Sequence, residues 1–151
     1  MLIKILVIDD EILMRELLRR FLGDYASKIM EAEDLELGLG LARIEHPHLV
    51  ILDLKLRLTG KTEALRAIRE FKSYGSEVIV VSGIAEPDLK DECMAAGAAS
   101  FLSKGSDFTS HALMVAAHVA TTKLPMSAYK DESFLKHVEL LRNAIKANTN
   151  H

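Results

Sequence analysis

Apolar runs and amphipathic stretches alternate along the chain. Five short segments are rich in Ile, Val and Leu, as is typical of strands buried on both faces of a parallel sheet, namely residues 2–8, 28–32, 49–54, 77–81 and 99–103. Segments with apolar residues every three or four positions follow them, at residues 11–22, 34–45, 61–73, 87–96 and 107–121. This alternation predicts an α/β fold, a doubly wound five-stranded parallel sheet with helices on both faces.

The first amphipathic segment has the clearest helical pattern. Its apolar stripe, spaced i, i+3, i+4, i+7, consists of Met14, Leu17, Leu18 and Phe21. The opposite, polar face consists of Arg15, Glu16, Arg19 and Arg20. We therefore expect the apolar stripe to face the sheet and the polar set to face solvent.

Length and composition favour one domain with an appendage. The chain has 151 residues, 49% of them apolar, which suits a single core over residues 1–122 and a linker with a helical extension over residues 123–151. Its single cysteine, Cys93, allows no internal disulfide and is expected to fill apolar space in a helix. The apolar start runs directly into acidic residues and resembles neither a signal peptide nor a membrane span, so we expect a cytoplasmic protein without membrane contact.

Charge argues against nucleic acid as a partner. The net charge is −3, and the last 29 residues, with five Lys or Arg and three Asp or Glu, carry +2, which leaves −5 on residues 1–122. No general basic field is present to attract phosphate backbones. About 30 residues after position 121 are also too few for a DNA-binding domain with its own core. We expect no direct binding to nucleic acid.

Chemically active side chains follow four of the five predicted strands. They are Asp9 and Asp10 after strand one, Asp53 at the end of strand three, Ser82 after strand four and Lys104 after strand five. Ligands of open α/β sheets bind outside the carboxyl ends of the strands, so we expect these groups to converge. Three carboxylates close together repel one another unless a cation is present, and all-oxygen ligation suits Mg²⁺ or Mn²⁺.

A carboxylate beside a divalent metal can also act as a nucleophile toward a phosphoryl group. Asp53 is the best candidate because it is central in the sheet and a loop follows it. An ammonium such as Lys104 would offset charge on the transferred oxygens, and a hydroxyl such as Ser82 would bind one of them.

The same residues carry a resemblance to the receiver domain of two-component response regulators over about residues 1–121. The matching motifs are Ile8-Asp9-Asp10-Glu11, Leu52-Asp53-Leu54, Val80-Val81-Ser82-Gly83 and Phe101-Leu102-Ser103-Lys104. The resemblance implies the flavodoxin-like strand order 2-1-3-4-5.

Roles for individual residues follow from the resemblance. It implies that Asp53 is the phosphoacceptor, Asp10 a direct Mg²⁺ ligand and Asp9 the acid that holds metal-bound water. Lys55 would offer its backbone carbonyl to the metal. The resemblance also implies that Ser82 is the phosphate-sensing hydroxyl, Lys104 the lysine characteristic of the family and Phe101 the aromatic switch residue.

The chain departs from the family pattern at two loops. Where the family has proline four residues after the acceptor and glycine eight after it, this chain has Arg57 and Lys61, with Gly60 one residue early. The loop after the acceptor is therefore expected to be shortened and more basic. Gly105 replaces the proline that follows the lysine in the family, where the peptide is cis. Neither change removes a residue of the phosphorylation site.

The resemblance implies a signalling protein, with no activity beyond its own phosphorylation and dephosphorylation. The implied partners are a sensor histidine kinase or phosphotransfer protein and a downstream protein. Two alternatives stay open at this point. One is an interaction or dimerisation module that does not depend on phosphorylation, and the other is a haloacid-dehalogenase-type phosphatase, whose nucleophile however ends the first strand in an Asp-x-Asp pattern.

The end of the chain has the composition of a docked helix. Residues 131–147 place Phe134, Val138, Leu141 and Ile145 on one stripe, and the helix predicted at 107–121 is apolar on nearly all sides. We expect the last helix to cover helix five, either within one chain or exchanged across a homodimer.

Overall fold

The computed structural model describes residues 3–23, 26–54, 60–83 and 86–104. Five strands alternate with four helices along this part of the chain. The strands are β1 (Ile3–Ile8), β2 (Ala26–Ala32), β3 (Leu49–Leu54), β4 (Glu77–Ser82) and β5 (Ser100–Ser103). The helices are α1 (Ile12–Leu22), α2 (Leu35–Glu45), α3 (Lys61–Ser73) and α4 (Leu89–Ala96).

The strands form one sheet in the order β2-β1-β3-β4-β5, and all four neighbouring pairs are parallel. The predicted fold class and strand order are therefore confirmed. The differences in bounds are small: β2 begins two residues before the predicted start, and α4 begins at Leu89, two residues later than expected.

Each face of the sheet carries its own apolar cluster. On one face, α1 packs on Ile5, Val7 and Ile51 of the central strands through Leu18 and Leu22. The residues of the other face belong to a second cluster with α2, α3 and α4, in which Ile68, Phe71 and Leu89 are fully buried. Burial on both faces explains why the central strands are continuously apolar.

One residue of the predicted α1 stripe was assigned wrongly. Leu17 is 37% exposed, whereas Leu22, which the stripe omitted, is 1% exposed. The helix begins at Ile12, and the face it presents to the sheet runs through Leu18 and Leu22, which are one turn apart. Met14 and Phe21 pack at the margin of this contact, as predicted.

Cys93 of α4 is completely buried, which confirms its predicted place in the core. Burial raises the pKa of its thiol to about 11, so the reactive thiolate is scarce at neutral pH.

Two glycines of α2 have opposite surroundings. A Cβ atom on Gly38 would lie 2.8 Å from Cγ1 of Ile8 and closer still to Cδ1, so α2 approaches the end of β1 at a point where a side chain would collide. A Cβ atom on Gly40 would meet no atom within 4 Å. Close packing against Ile8 therefore sets how α2 sits on the sheet.

The amino edge of the sheet is fixed by paired polar groups. The Lys4 ammonium lies 3.3 Å and the Lys28 ammonium 2.9 Å from the Glu45 carboxylate, and these two lysines lower the pKa of that carboxyl. His48 Nδ1 accepts a hydrogen bond from the backbone N–H of Lys4 at 2.9 Å. Ser76 Oγ donates to the carbonyl of Pro47 at 2.6 Å.

No helix within the described ranges is both long enough and apolar enough to cross a bilayer.

Candidate functional site

Asp9 follows β1 directly, and hydrogen bonds fix both its backbone and its side chain. Its backbone N–H donates to the carbonyl of Ala32 at 3.0 Å, which joins it to the edge strand β2. Its Oδ1 accepts a hydrogen bond from the backbone N–H of Glu11 at 2.8 Å. The side chain is only 2% exposed, so this carboxylate lies below the surface of the carboxyl edge.

The predicted convergence of carboxylates is confirmed. Asp9, Asp10 and Asp53 each place one carboxylate oxygen within 4.8 Å of the others. Asp10 is exposed. Asp53 is the last residue but one of the central strand β3, and its side chain is 4% exposed. The cluster thus has two buried carboxylates and one that faces solvent.

Lys104, the residue directly after β5, contacts the two buried carboxylates. Its ammonium nitrogen lies 3.0 Å from Asp53 Oδ1 and 3.7 Å from Asp9 Oδ2. Its backbone N–H donates to the carbonyl of Ser82 at 2.7 Å, which joins the end of β5 to the end of β4. The ammonium is therefore a fixed counter-ion of the two buried carboxylates.

Ser82 and Phe101 are placed by the register of the sheet. Ser82 is paired with Leu54, the residue after Asp53, and is 1% exposed. Phe101 is paired with Val80 and packs half-buried against the apolar cluster of the second face. Both residues therefore lie on the strands that flank the acceptor candidate on the side of β5.

The sequence analysis placed Arg15 on the solvent face of α1, and this was wrong. The side chain is 15% exposed, and its Nη1 donates to the backbone carbonyl of Asp9 at 2.6 Å. Its Nε lies 3.3 Å from Glu31 of β2, a carboxylate that Arg19 also contacts, at 2.5 Å. The sequence did contain a signal for this contact, because Arg15 lies in the first turn of α1, only six residues after Asp9.

The donor set fits a small divalent cation. Three carboxylates against one ammonium leave a net charge of −2 within a few ångströms. All three potential ligands are oxygens, which are the ligands that Mg²⁺ and Mn²⁺ take in proteins, and the solvent-facing Asp10 leaves an open side for water. A cation there would relieve the repulsion between the carboxylates.

A second ionic contact is found at the start of α3, the helix that follows Asp53 in the chain. Lys61, the first residue of α3, places its ammonium 3.1 Å from Glu86 and 2.6 Å from Glu92 of α4. These two carboxylates raise the pKa of Lys61. The helix that follows Asp53 in the chain is thereby joined to α4.

Several predicted features lie outside the described residues. They are the backbone carbonyl of Lys55, Arg57, Gly105, the fifth helix and the extension over residues 123–151.

Comparison with known proteins identifies the family. Residues 5–116 match the response regulator receiver domain. The KDP operon transcriptional regulatory protein KdpE of Escherichia coli is 36% identical over 100 residues, which cover 66% of this chain and 44% of KdpE. The chemotaxis protein CheY of Halobacterium salinarum is 28% identical over 101 residues, covering 67% of this chain and 83% of CheY. The match spans about half the length of KdpE and of the response regulator GacA.

Solved structures agree on the fold. The signal receiver domain of the putative Luxo repressor protein from Vibrio parahaemolyticus gives a TM-score of 0.71 at 21% identity, covering 82% of this chain and 92% of that one. The chemotaxis protein CheY4 of Vibrio cholerae gives 0.65 at 20% identity, covering 78% and 98%. At these identities the likeness concerns the fold.

Proposed function

This chain belongs to the response regulator receiver family, and from that premise we propose that it is a phosphorylation-dependent receiver whose phosphoryl acceptor is Asp53. The observation that carries the proposal is the position of this carboxylate. It is buried at the centre of the carboxyl edge, with the Lys104 ammonium 3.0 Å from Oδ1 and two further carboxylates within 4.8 Å.

The transfer is a substitution at phosphorus. An oxygen of the Asp53 carboxylate forms a bond to phosphorus as the bond from phosphorus to a histidine nitrogen of the donor breaks. Lys104 offsets the charge on the transferred oxygens, and Ser82 offers a hydroxyl donor to one of them. Water later attacks the phosphorus, releases inorganic phosphate and restores the carboxylate.

Asp9, Asp10 and Asp53, with the backbone carbonyl of Lys55, are the residues proposed to hold Mg²⁺, and Mn²⁺ suits the same oxygens. Bound there, the metal would supply positive charge beside the phosphoryl oxygens. Asp9, which is buried and hydrogen-bonded to Glu11, is suited to orient metal-bound water, while Asp10 is suited to direct contact.

Phosphorylation is proposed to act on a protein-interaction surface. An acyl phosphate on Asp53 would draw Ser82 and Lys104 inward, and the half-buried Phe101 would follow into the space that the hydroxyl leaves.

The proposed partners are a sensor histidine kinase or phosphotransfer protein upstream and a protein downstream, in the cytoplasm. Residues 1–122 would form the receiver domain, and residues 123–151 a linker and helix that cover helix five or join two copies.

The test is uptake of phosphate from a small phosphodonor. We expect the full chain, incubated with acetyl phosphate and Mg²⁺, to gain one phosphoryl group by intact-mass measurement, and Asp53→Ala to gain none. Asp91→Ala, which removes an exposed carboxylate on α4, is the matched control and should be labelled like the wild type.

Two results would contradict the proposal. Unchanged labelling of Asp53→Ala would place the acceptor elsewhere. Labelling at Asp53 that changes neither the fold nor any partner affinity would favour an interaction module that does not depend on phosphorylation.

A further inference from the structure

Arg15 contacts the site without contributing a ligand to it. Its Nη1 donates to the backbone carbonyl of Asp9 at 2.6 Å, and its Nε is paired with Glu31 at 3.3 Å. Glu31 directly precedes Ala32, whose carbonyl accepts the backbone N–H of Asp9. The two backbone groups of Asp9 are thus joined to adjacent residues of β2, the N–H directly to Ala32 and the carbonyl through Arg15 to Glu31.

The Asp9 carbonyl matters because of the peptide that contains it. The peptide group is planar, so the direction of this C=O also fixes the direction in which the chain continues to Asp10. Asp10 is the exposed member of the carboxylate cluster. The peptide between Asp9 and Asp10 sets the direction in which the Asp10 side chain leaves the backbone.

We propose that Arg15, braced by Glu31, is a positioning residue that sets the Asp9–Asp10 peptide so that Asp10 points into the metal site. This inference rests on the proposed function, since it assumes that the carboxylate cluster binds a divalent cation. Arg15 itself touches neither the metal nor the phosphoryl group.

Charge and positioning predict opposite results when Arg15 is neutralised. An arginine within hydrogen-bond distance of Asp9 repels a cation bound beside it, so removing its charge alone would tighten metal binding. Removing its hydrogen bond to Asp9 would loosen the backbone and weaken metal binding. The sign of the change therefore separates the two effects.

The chain contains a matched control for this test. Arg19 contacts the same Glu31 carboxylate, at 2.5 Å, and carries the same charge, but within the described part of the chain it makes no hydrogen bond to Asp9. Replacing Arg19 by Gln repeats the loss of charge and of one Glu31 contact. The Arg19→Gln substitution leaves the hydrogen bond from Arg15 to the Asp9 carbonyl in place.

The experiment measures Mn²⁺ binding to the unphosphorylated full chain by the electron paramagnetic resonance of free Mn²⁺. We expect Arg15→Gln to bind Mn²⁺ about tenfold more weakly than wild type, which is the scale for groups that orient metal ligands. Arg15→Lys retains a donor and should recover part of the loss. Arg19→Gln should bind as tightly as wild type or slightly more tightly.

Each other outcome is decisive. If the wild type itself fails to bind Mn²⁺, the proposed metal site falls, and the inference falls with it. If the wild type binds and Arg15→Gln binds equally or more tightly, the function stands and the positioning role is wrong. An equal loss in Arg19→Gln would also overturn the positioning role.

If circular dichroism shows that Arg15→Gln is unfolded, Glu31→Gln tests the positioning role of Arg15. This variant keeps Arg15 but removes the charge that braces it. We expect a loss of Mn²⁺ affinity smaller than that of Arg15→Gln but in the same direction, and unchanged affinity in the folded variant would refute the inference.

Discussion

The two edges of the sheet are both rich in charge, but the charges are arranged differently. At the amino edge, Lys4 and Lys28 share the carboxylate of Glu45 on the surface. At the carboxyl edge, three carboxylates crowd together, and Lys104 contacts the two buried ones, Asp9 and Asp53. Opposite charges alternate at one edge, whereas like charges are concentrated at the other.

The difference fits a division in which the amino edge stabilises the fold and the carboxyl edge carries the proposed chemistry. A cluster with a net charge of −2 opposes its own folding unless a cation arrives, so it lowers the stability of the metal-free protein. The amino edge has no such excess among the residues described there, and its contacts simply join the ends of strands and helices.

The largest expected effect comes from adding a divalent cation. Mg²⁺ at about 100 times its dissociation constant should raise the free energy of unfolding by about 2.7 kcal/mol, because it binds the folded state alone. Asp10→Asn removes a ligand and should lose most of this gain at the same Mg²⁺ concentration. Urea denaturation with and without Mg²⁺ measures both.

Asp91→Asn is the control for this experiment, because it removes an exposed carboxylate far along the chain on α4. It should keep the full Mg²⁺ effect. A gain in Asp10→Asn as large as that of wild type would show that the metal binds elsewhere.

A smaller effect on stability is expected where α2 packs against Ile8. Gly38→Ala drives a methyl group into Ile8, the residue before Asp9, and overpacking outweighs the better helix propensity of Ala, for a net loss of about 1–2 kcal/mol. Gly40→Ala, two residues on in the same helix, meets open space and should gain about 0.5–1 kcal/mol. Thermal denaturation of both variants gives the comparison, and equal shifts of the two would mean that α2 does not lie tightly on Ile8.

The smallest effect belongs to His48 at the amino edge. Burial, and then the charge of Lys4, lower the pKa of its imidazole below the ordinary value near 6.5. The unfolded chain therefore binds this proton more readily, so stability is full above pH 6.5 and is lost as the pH falls through the folded pKa. We expect a loss of about 0.5 kcal/mol or less, because solvent screens a half-exposed group.

His48→Asn checks this expectation, since an amide oxygen can accept the Lys4 N–H without titrating in this range. Urea denaturation at neutral and mildly acidic pH should show a smaller pH dependence in the variant than in the wild type. The same dependence in both proteins would assign it to other groups.

The sequence predicted the fold and the site well because both depend on strand ends. Buried parallel strands are continuously apolar, and the polar residues at their carboxyl ends lie at a known edge of the sheet. This reasoning placed Asp9, Asp10, Asp53 and Lys104 together, and the structure confirms that they lie together.

What the sequence did not predict depends on side chains that cross between elements. Periodicity placed Arg15 on a solvent face, because it treats a helix as an isolated cylinder with one wet side. The arginine is long enough to reach back over the helix start to Asp9, and that reach depends on the angle between α1 and β1. The choice of Leu17 over Leu22 failed for the same reason, because rotation of the helix is set by packing.

The contacts of Lys61 with Glu86 and Glu92 make the link between α3 and α4 sensitive to salt. Each of these side chains is 34–39% exposed, so the pairs are in contact with solvent and added salt weakens their attraction, because the Debye length falls from about 8 Å at physiological ionic strength to about 3 Å at 1 M. They join the start of the helix that follows Asp53 to α4. We therefore expect the ionic link between these two helices to weaken as the ionic strength of the medium rises.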